Sequence, residues 1–292
     1  VDGLTTSGAH DVILDQCSFS WATDENLSAS GPRFDGGDTV EQWRRHTSRR
    51  ITLSRNIVAE GLSNSSHSKG EHSKGTLIHD NATDVLIVGN LYAHDYERNQ
   101  LFKGGAHAVT ANNLIYDPGN RCMHYALNAE EWVGHDWVVG KLAIVGNVTR
   151  GGPSTRADLP FLIVEGQGDL DLYAVDNPAF HADGRPMQEV GIISDRNPVI
   201  TRLDQPPQWP AGFRARPSGE VTAWIEAEAG ARSWARDAVD RRILEQVRTG
   251  TGRVIDDEKE VGGYPVVTPT QRPFVEADWD MSTMTRRDGA PS

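Results

Sequence analysis

A parallel β-solenoid is predicted for most of this chain, on three observations. Short β-branched runs recur and end in a similar polar step. Their ends are spaced like solenoid turns. Hairpin dipeptides, which an antiparallel β-sandwich would show at regular short intervals, are scarce. The runs are residues 12–17, 51–56, 85–90, 108–113, 142–147 and 172–177. Their last residues are spaced by 39, 34, 23, 34 and 30. The spacing of 23 suits one bare turn, and the longer ones suit a turn plus a loop. Alternate residues of each run are apolar and point inward. The recurring terminal Asn (Asn56, Asn90, Asn113, Asn147, Asn177) suits the bend after a strand, where stacked amides can bond along the solenoid axis.

The first run ends in Cys17 and is followed by Ser20-Trp21 and the pair Asp24-Glu25. Adjacent carboxylates at a strand end suit a hard cation such as Ca²⁺ or a hydrolase acid/base pair, and are as often a solvated turn. Asp2 would lie one rung away on the same side. The next insertion, His67-Ser68-Lys69-Gly70-Glu71-His72-Ser73-Lys74-Gly75, is the densest polar stretch. It reads as a solvated loop, as a cationic patch for a carboxylate-rich ligand, or as a metal site. The histidine spacing matches no standard zinc pattern, and the sequence offers no evident third ligand. After Asn90 come Arg98 and Lys103, expected on the next wall of that rung. Long polar loops (26–50, 63–79 and 151–159) leave from the solenoid edges and build the binding face.

Beyond about residue 195 the pattern changes. A Pro-rich stretch around Pro206, Pro207 and Pro210 is expected on the surface. One helix is predicted over 236–248, with Val239, Ile243 and Val247 in an i, i+4, i+8 stripe and Gly250 ending it. Its expected role is to cap an open solenoid end. The predicted organisation is a β-helix over 1–195, an extension with a capping helix over 196–265, and a loosely packed tail over 266–292.

Composition limits the function. Of 292 residues, 41 are acidic and 29 basic, for a net charge of −12. A phosphate-tracking protein needs a basic face, so nucleic acid is not expected as a partner. A local cationic cleft for an acidic ligand remains compatible with an acidic exterior. No segment approaches the roughly 20 apolar residues of a membrane span. Cys17 and Cys122 exclude a disulfide-rich scaffold and a four-cysteine zinc site and are expected as free thiols. The chain starts at Val1, already in the middle of a folded pattern, and is expected to lack N-terminal rungs and any secretion signal.

Several segments carry a family resemblance. Residues 11–26 (DVILDQCSFSWATDEN), 51–56 with 60–62, 72–78 (HSKGTLI), and 90–99 (NLYAHDYERN) leading to 112–116 (NNLIY) resemble successive segments of pectate lyases of polysaccharide lyase family 1. Residues 229–231, 236–240 and 250–253 resemble the C-terminal region of bacterial members. The resemblance implies a right-handed, single-stranded parallel β-helix with a C-terminal helix and tail. It implies a secreted or periplasmic, monomeric enzyme that cleaves α-1,4-polygalacturonate by Ca²⁺-assisted β-elimination. By position Asp2 and Asp24 match calcium-binding carboxylates, with Glu25 available to complete the site. Lys74 matches the lysine that meets the substrate carboxylate, Arg98 the catalytic base, and Lys103 a second substrate-binding cation where the family usually has Arg. The chain departs from the pattern at Gln16, at Ser28, where many members place a further calcium ligand, and at Gln100-Leu101. These departures leave room for an altered substrate or a non-catalytic, carbohydrate-binding member.

Overall fold

A computed structural model of the chain describes residues 1–68, 70–266, 274–283 and 285–289. Three parallel sheets form the walls of a right-handed β-helix, each turn placing one strand in each sheet. The first sheet stacks Leu4–Ser7, Glu25–Ser30, Lys74–Ile78, Leu101–Lys103, Met123–Leu127, Leu162–Gly166 and Val190–Ile193. The second stacks His10–Asp15, Arg49–Ser54, Thr83–Val88, His107–Ala111, Gly140–Val145, Leu170–Val175 and Ile200–Arg202. The third stacks Ser18–Ser20, Ile57–Ala59, Leu91–Ala93, Leu114–Tyr116, Val148–Arg150 and Ala179–Phe180.

The six runs that announced the fold are consecutive strands of the second sheet. Leu53 pairs with Leu14 below and Ile87 above, and the alternation of the strands turns such residues into the core. Burying each of these aliphatic side chains is worth roughly 1.5–3 kcal/mol. The bend that follows is built twice over. The residue before each ladder position is left-handed: Gln16, Arg55, Gly89, Asn112, Gly146 and Asp176 all have φ between +50° and +69°. The ladder residue then turns inward and bonds its neighbour. Asn56 Nδ2 donates to Asn90 Oδ1 at 3.0 Å, Asn90 to Asn113 at 2.9 Å, Asn113 to Asn147 at 2.9 Å, and Asn147 to Asn177 at 3.0 Å. In the first turn Cys17 stands in that place and donates its backbone N–H to Asn56 Oδ1 at 2.9 Å.

The sheets run past the expected boundary at 195, because Ile200–Arg202 adds a strand to the second sheet. The C-terminal helices do not cap an end. The helix α1 is Val40–His46, inside the 26–50 loop; α2 is Val221–Glu228 and α3 is Ala238–Thr249. Ile225, Ile243, Leu244 and Val247 of α2 and α3 pack against Ile57, Leu91, Leu114 and Tyr116 on the outer face of the third sheet. That face is apolar, and covering it removes Ile57, Leu91, Leu114 and Tyr116 from water. Asp237 caps α3 by accepting the Asp240 N–H at 2.9 Å, and Gly250 ends it at φ +72°. The Pro-rich stretch lays Trp209 and Phe213 on Val109, Ala111 and Ala143, outside the second sheet. Both cysteines are free, Cys122 being buried. In the expected tail, Trp279–Asp280 pairs antiparallel with Thr285–Arg286, while residues 267–273, 284 and 290–292 lie outside the described residues. Among the described residues no helix is long and apolar enough to cross a membrane.

Candidate functional site

With the second sheet's inner residues committed to the core and the third sheet covered, the outer face of the first sheet is left to carry polar chemistry. A single register line carries much of it. Glu25 pairs with Lys74, and Lys74 bridges to Glu97, on successive turns. The Gly3 N–H donates to the Glu25 carbonyl at 2.9 Å, which sets Asp2 beside the bottom of that line. The carboxylates of Asp2, Asp24 and Glu25 each offer an oxygen within 4.8 Å of the others. These three residues were 22 or more positions apart or adjacent in sequence, and one turn of the solenoid closes the gap.

Arg98 follows Glu97, at a backbone φ of +56°. The bends of this solenoid hold other non-glycine residues there too, Gln16 and Arg55 among them, so the conformation belongs to the turn rather than marking the site. The guanidinium of Arg98 is ion-paired with Glu25. Burial pushes the Arg98 guanidinium below its usual range, against the opposing pull of Asp24 and Asp2. Lys74 is 7% exposed, and its Nζ donates to Glu97 Oε2 at 2.5 Å. Burial works to raise the Glu97 carboxyl, yet the Lys74 ammonium holds it below the usual carboxylate range. Lys103 is ion-paired with Glu131, which Arg33 also meets at 3.1 Å.

A groove of about 680 Å³ runs along this wall, bordered by Glu97, Arg98, Lys103, Arg121, His124 and Glu165. Arg98 and Lys103 therefore open into one cleft. His124 is buried in its floor, and its imidazole is held well below the usual range, first by burial and then by the positive charges of Arg98, Arg121, Lys74 and Lys103. Three of these cations, Arg98, Lys103 and Arg121, border the groove together with His124. Arg121 and His124 escaped the sequence reading. The signal was the bare 23-residue turn: the register that sets Leu101 beside His124 carries Arg98 towards Arg121. Ser28 is buried in its strand, and its hydroxyl has no partner among the described residues. Gln16 uses its amide to tie the bend to the Glu228 carbonyl at 3.2 Å. Asp24 also meets two histidines of the 63–73 loop, His67 and His72, a contact the sequence did not disclose.

No family model matches the chain. Three curated fungal proteins, each named "Probable pectate lyase C", do match. The one from Emericella nidulans is 28% identical over 269 residues, covering 90% of this chain and 54% of the relative. Those from Aspergillus flavus and Aspergillus oryzae are each 24% identical, covering 90% of this chain and 55% of the relative. The similarity is to pectate lyases. The chain spans about half the length of these curated relatives. A solved pectate lyase from Xanthomonas campestris aligns over 80% of this chain and 73% of its own, at 13% identity and a TM-score of 0.42.

The donor set can be tested against the cation that the family resemblance implies. Asp2, Asp24 and Glu25 supply oxygen only, as Ca²⁺ prefers. Glu25 Oε1 is buried and, apart from its ion pair with the Arg98 guanidinium, has no hydrogen-bond partner among the described residues. The residues therefore fit a hard divalent ion.

Proposed function

We propose that this chain is the β-helical part of a pectate lyase that cleaves α-1,4-polygalacturonate by Ca²⁺-assisted β-elimination, releasing 4,5-unsaturated oligogalacturonides. The observation that carries the reading is the shared carboxylate of Glu25. It lies in the acidic trio with Asp2 and Asp24, and it is ion-paired with Arg98 at the edge of the cationic groove.

The chemistry asked of the wall is removal of the C5 proton of a uronate. That proton lies α to a carboxylate whose charge opposes carbanion formation. Ca²⁺ held by Asp2, Asp24 and Glu25 would supply charge neutralisation of that carboxylate. Lys74 meets the substrate carboxylate from the neighbouring turn, and Lys103 binds a further uronate along the groove. Arg98 takes the C5 proton. The C5–H electrons form the C4–C5 double bond as the C4–O bond breaks, and the departing oxygen is protonated from solvent. A guanidinium is a poor base in water, with a pKa above about 12. Desolvation disfavours its charged form, which is the direction the reaction requires, while the carboxylates of Asp24 and Asp2 and the ion pair with Glu25 oppose it. The enzyme acts outside the cytoplasm, secreted or periplasmic, as a monomer, on an acidic polysaccharide.

The test is ultraviolet absorbance of the unsaturated product from unmethylated polygalacturonate, with Ca²⁺ and with chelator. Ca²⁺-dependent product that is lost in Arg98→Ala is expected. Binding of the polymer without turnover in the full-length protein would select a non-catalytic, carbohydrate-binding β-helix instead. The pairing of Lys74 with Glu97 and of Lys103 with Glu131 favours that second reading.

A further inference from the structure

Besides the other two carboxylates of the trio, two imidazoles close in on Asp24. His67 Nε2 lies 3.1 Å from Asp24 Oδ2, and His72 Nε2 lies 3.5 Å from Asp24 Oδ1. The two rings stack with centroids 3.8 Å apart and planes 29° from parallel. All three side chains are mostly buried, at 13%, 9% and 22% exposure for His67, His72 and Asp24.

The tautomer of His72 can be read from its other nitrogen. Nδ1 faces two backbone carbonyls, Glu71 O at 2.9 Å and Gly70 O at 3.2 Å. A carbonyl only accepts, so Nδ1 carries the proton. In the neutral ring Nε2 then presents a lone pair towards a carboxylate oxygen. Two electron-rich atoms held face to face call for a positive charge between them. Protonating one ring answers one of the two contacts and protonating both would stack two imidazolium ions, whereas one metal ion serves both nitrogens and the carboxylate at once. A backbone carbonyl holding the distal N–H is also how histidine ligands are usually oriented.

The spacing agrees. Around a tetrahedral ion with ligands at about 2.0–2.1 Å, adjacent ligand atoms stand about 3.3–3.4 Å apart. Nε2 of each ring faces its own oxygen of Asp24, at 3.1 and 3.5 Å, so the carboxylate offers both oxygens to the ion, each at about that distance from one nitrogen. Two imidazoles and one carboxylate suit zinc and its transition-metal neighbours, while Ca²⁺ takes oxygen.

We propose that Asp24, His67 and His72 form a binding site for a divalent transition metal, with zinc as its representative, distinct from the oxygen-only trio and sharing Asp24 with it. The ligands come from two segments, the start of a first-sheet strand and the 63–73 insertion, so the ion fastens the loop to the wall. Hydrogen bonds that also hold this segment include the Ser63 N–H to Ile255 O at 2.9 Å, the Asn64 N–H to Asp256 Oδ1 at 2.9 Å and the Glu97 N–H to Ser73 O at 3.0 Å. The inference stands on these three side chains and does not require the lyase reading.

The test uses the untagged, metal-stripped chain without substrate or Ca²⁺. Zn²⁺ is titrated by calorimetry, and Co²⁺ is followed by visible absorption. The expected result is about one equivalent bound at low coordination number, with the intense ligand-field bands of four- or five-coordinate cobalt. Affinity should fall by about 10-fold or more in His67→Ala and in His72→Ala, and should hold in His10→Ala, whose exposed ring lies elsewhere. Each protein's unfolding midpoint is also compared with and without Zn²⁺. A rise in wild type and His10→Ala but not in the loop variants supports the site, and refers each variant to its own metal-free state. Zinc binding that persists undiminished in the His67→Ala/His72→Ala double variant, or wild type that binds no more than that variant, overturns the proposal.

Discussion

Lys74 Nζ and Glu97 Oε2 stand 2.5 Å apart on neighbouring turns of the first sheet. The lysine expected to meet a substrate carboxylate therefore already faces a protein carboxylate, and Glu97 also accepts from Asn120 Nδ2 at 3.0 Å. An anionic ligand has to compete with Glu97 for Lys74. Glu97→Gln is predicted to tighten polygalacturonate binding by about 1 kcal/mol, read as a several-fold fall in KM or in the binding constant of a short oligogalacturonate. Weaker binding would show that Lys74 needs Glu97 for its position rather than competing with it.

The same pair sets a pH dependence of stability. The folded-state carboxyl of Glu97 is held below its ordinary value of 4.5. A depressed acid stabilises the fold above its unfolded-state value and loses that contribution as pH falls through the folded value. Urea unfolding should therefore find wild type more stable than Glu97→Gln near neutrality, with the difference closing below about pH 4. An equal gap at every pH would assign the effect to packing.

Asp95 behaves in the opposite sense. It is buried, its Oδ1 accepts from the Gly61 N–H at 2.8 Å and from Asn26 Nδ2 at 3.1 Å, and Oδ2 has no hydrogen-bond partner among the described residues. Burial raises its carboxyl well above the usual range. A raised acid favours the fold below its unfolded-state value, and that advantage disappears as pH climbs through the folded value. Asp95→Asn should thus gain on wild type by about 1–3 kcal/mol as pH rises from the unfolded-state value towards the folded one, measured by denaturant midpoints from about pH 4 upward. A variant that is weaker by the same margin throughout would mean the carboxylate is accommodated as an anion.

The asparagine ladder should be unequal along its length. Asn113 accepts from Asn90 and donates to Asn147, whereas Asn177 is the last amide in the series. Asn113→Ala leaves buried polar partners on both sides and is predicted to cost about 2–4 kcal/mol, with Asn177→Ala costing about half as much. Equal losses in chemical denaturation would argue against a cooperative ladder.

The acidic trio predicts a metal dependence. Asp24→Asn should raise the Ca²⁺ concentration for half-maximal activity by about 10–100-fold. Activity that stays unchanged across a Ca²⁺ titration of that variant would remove Asp24 from the site.

The local code of one wall determined the solenoid. Residues 51–56, 85–90 and 142–147 repeat apolar inward positions (Ile51 and Leu53, Val85 and Ile87, Leu142 and Ile144) and end in Asn, because the second sheet turns one face into the core and has a bend to build. The third sheet was illegible for the converse reason. Its strands, such as Leu91–Ala93 and Leu114–Tyr116, are short and buried on both faces, so they show no alternation until the helices that cover them are in place. The motif order named Asp24, Lys74 and Arg98, but a linear chain holds no record of charge partners. That Glu25 meets Arg98, that Lys103 meets Glu131, and that His67 and His72 converge on Asp24 were decided by the stacking of turns and the folding back of loops. Strand periodicity is a property of neighbours in sequence, whereas ion pairing and metal geometry depend on distances that only closed turns define.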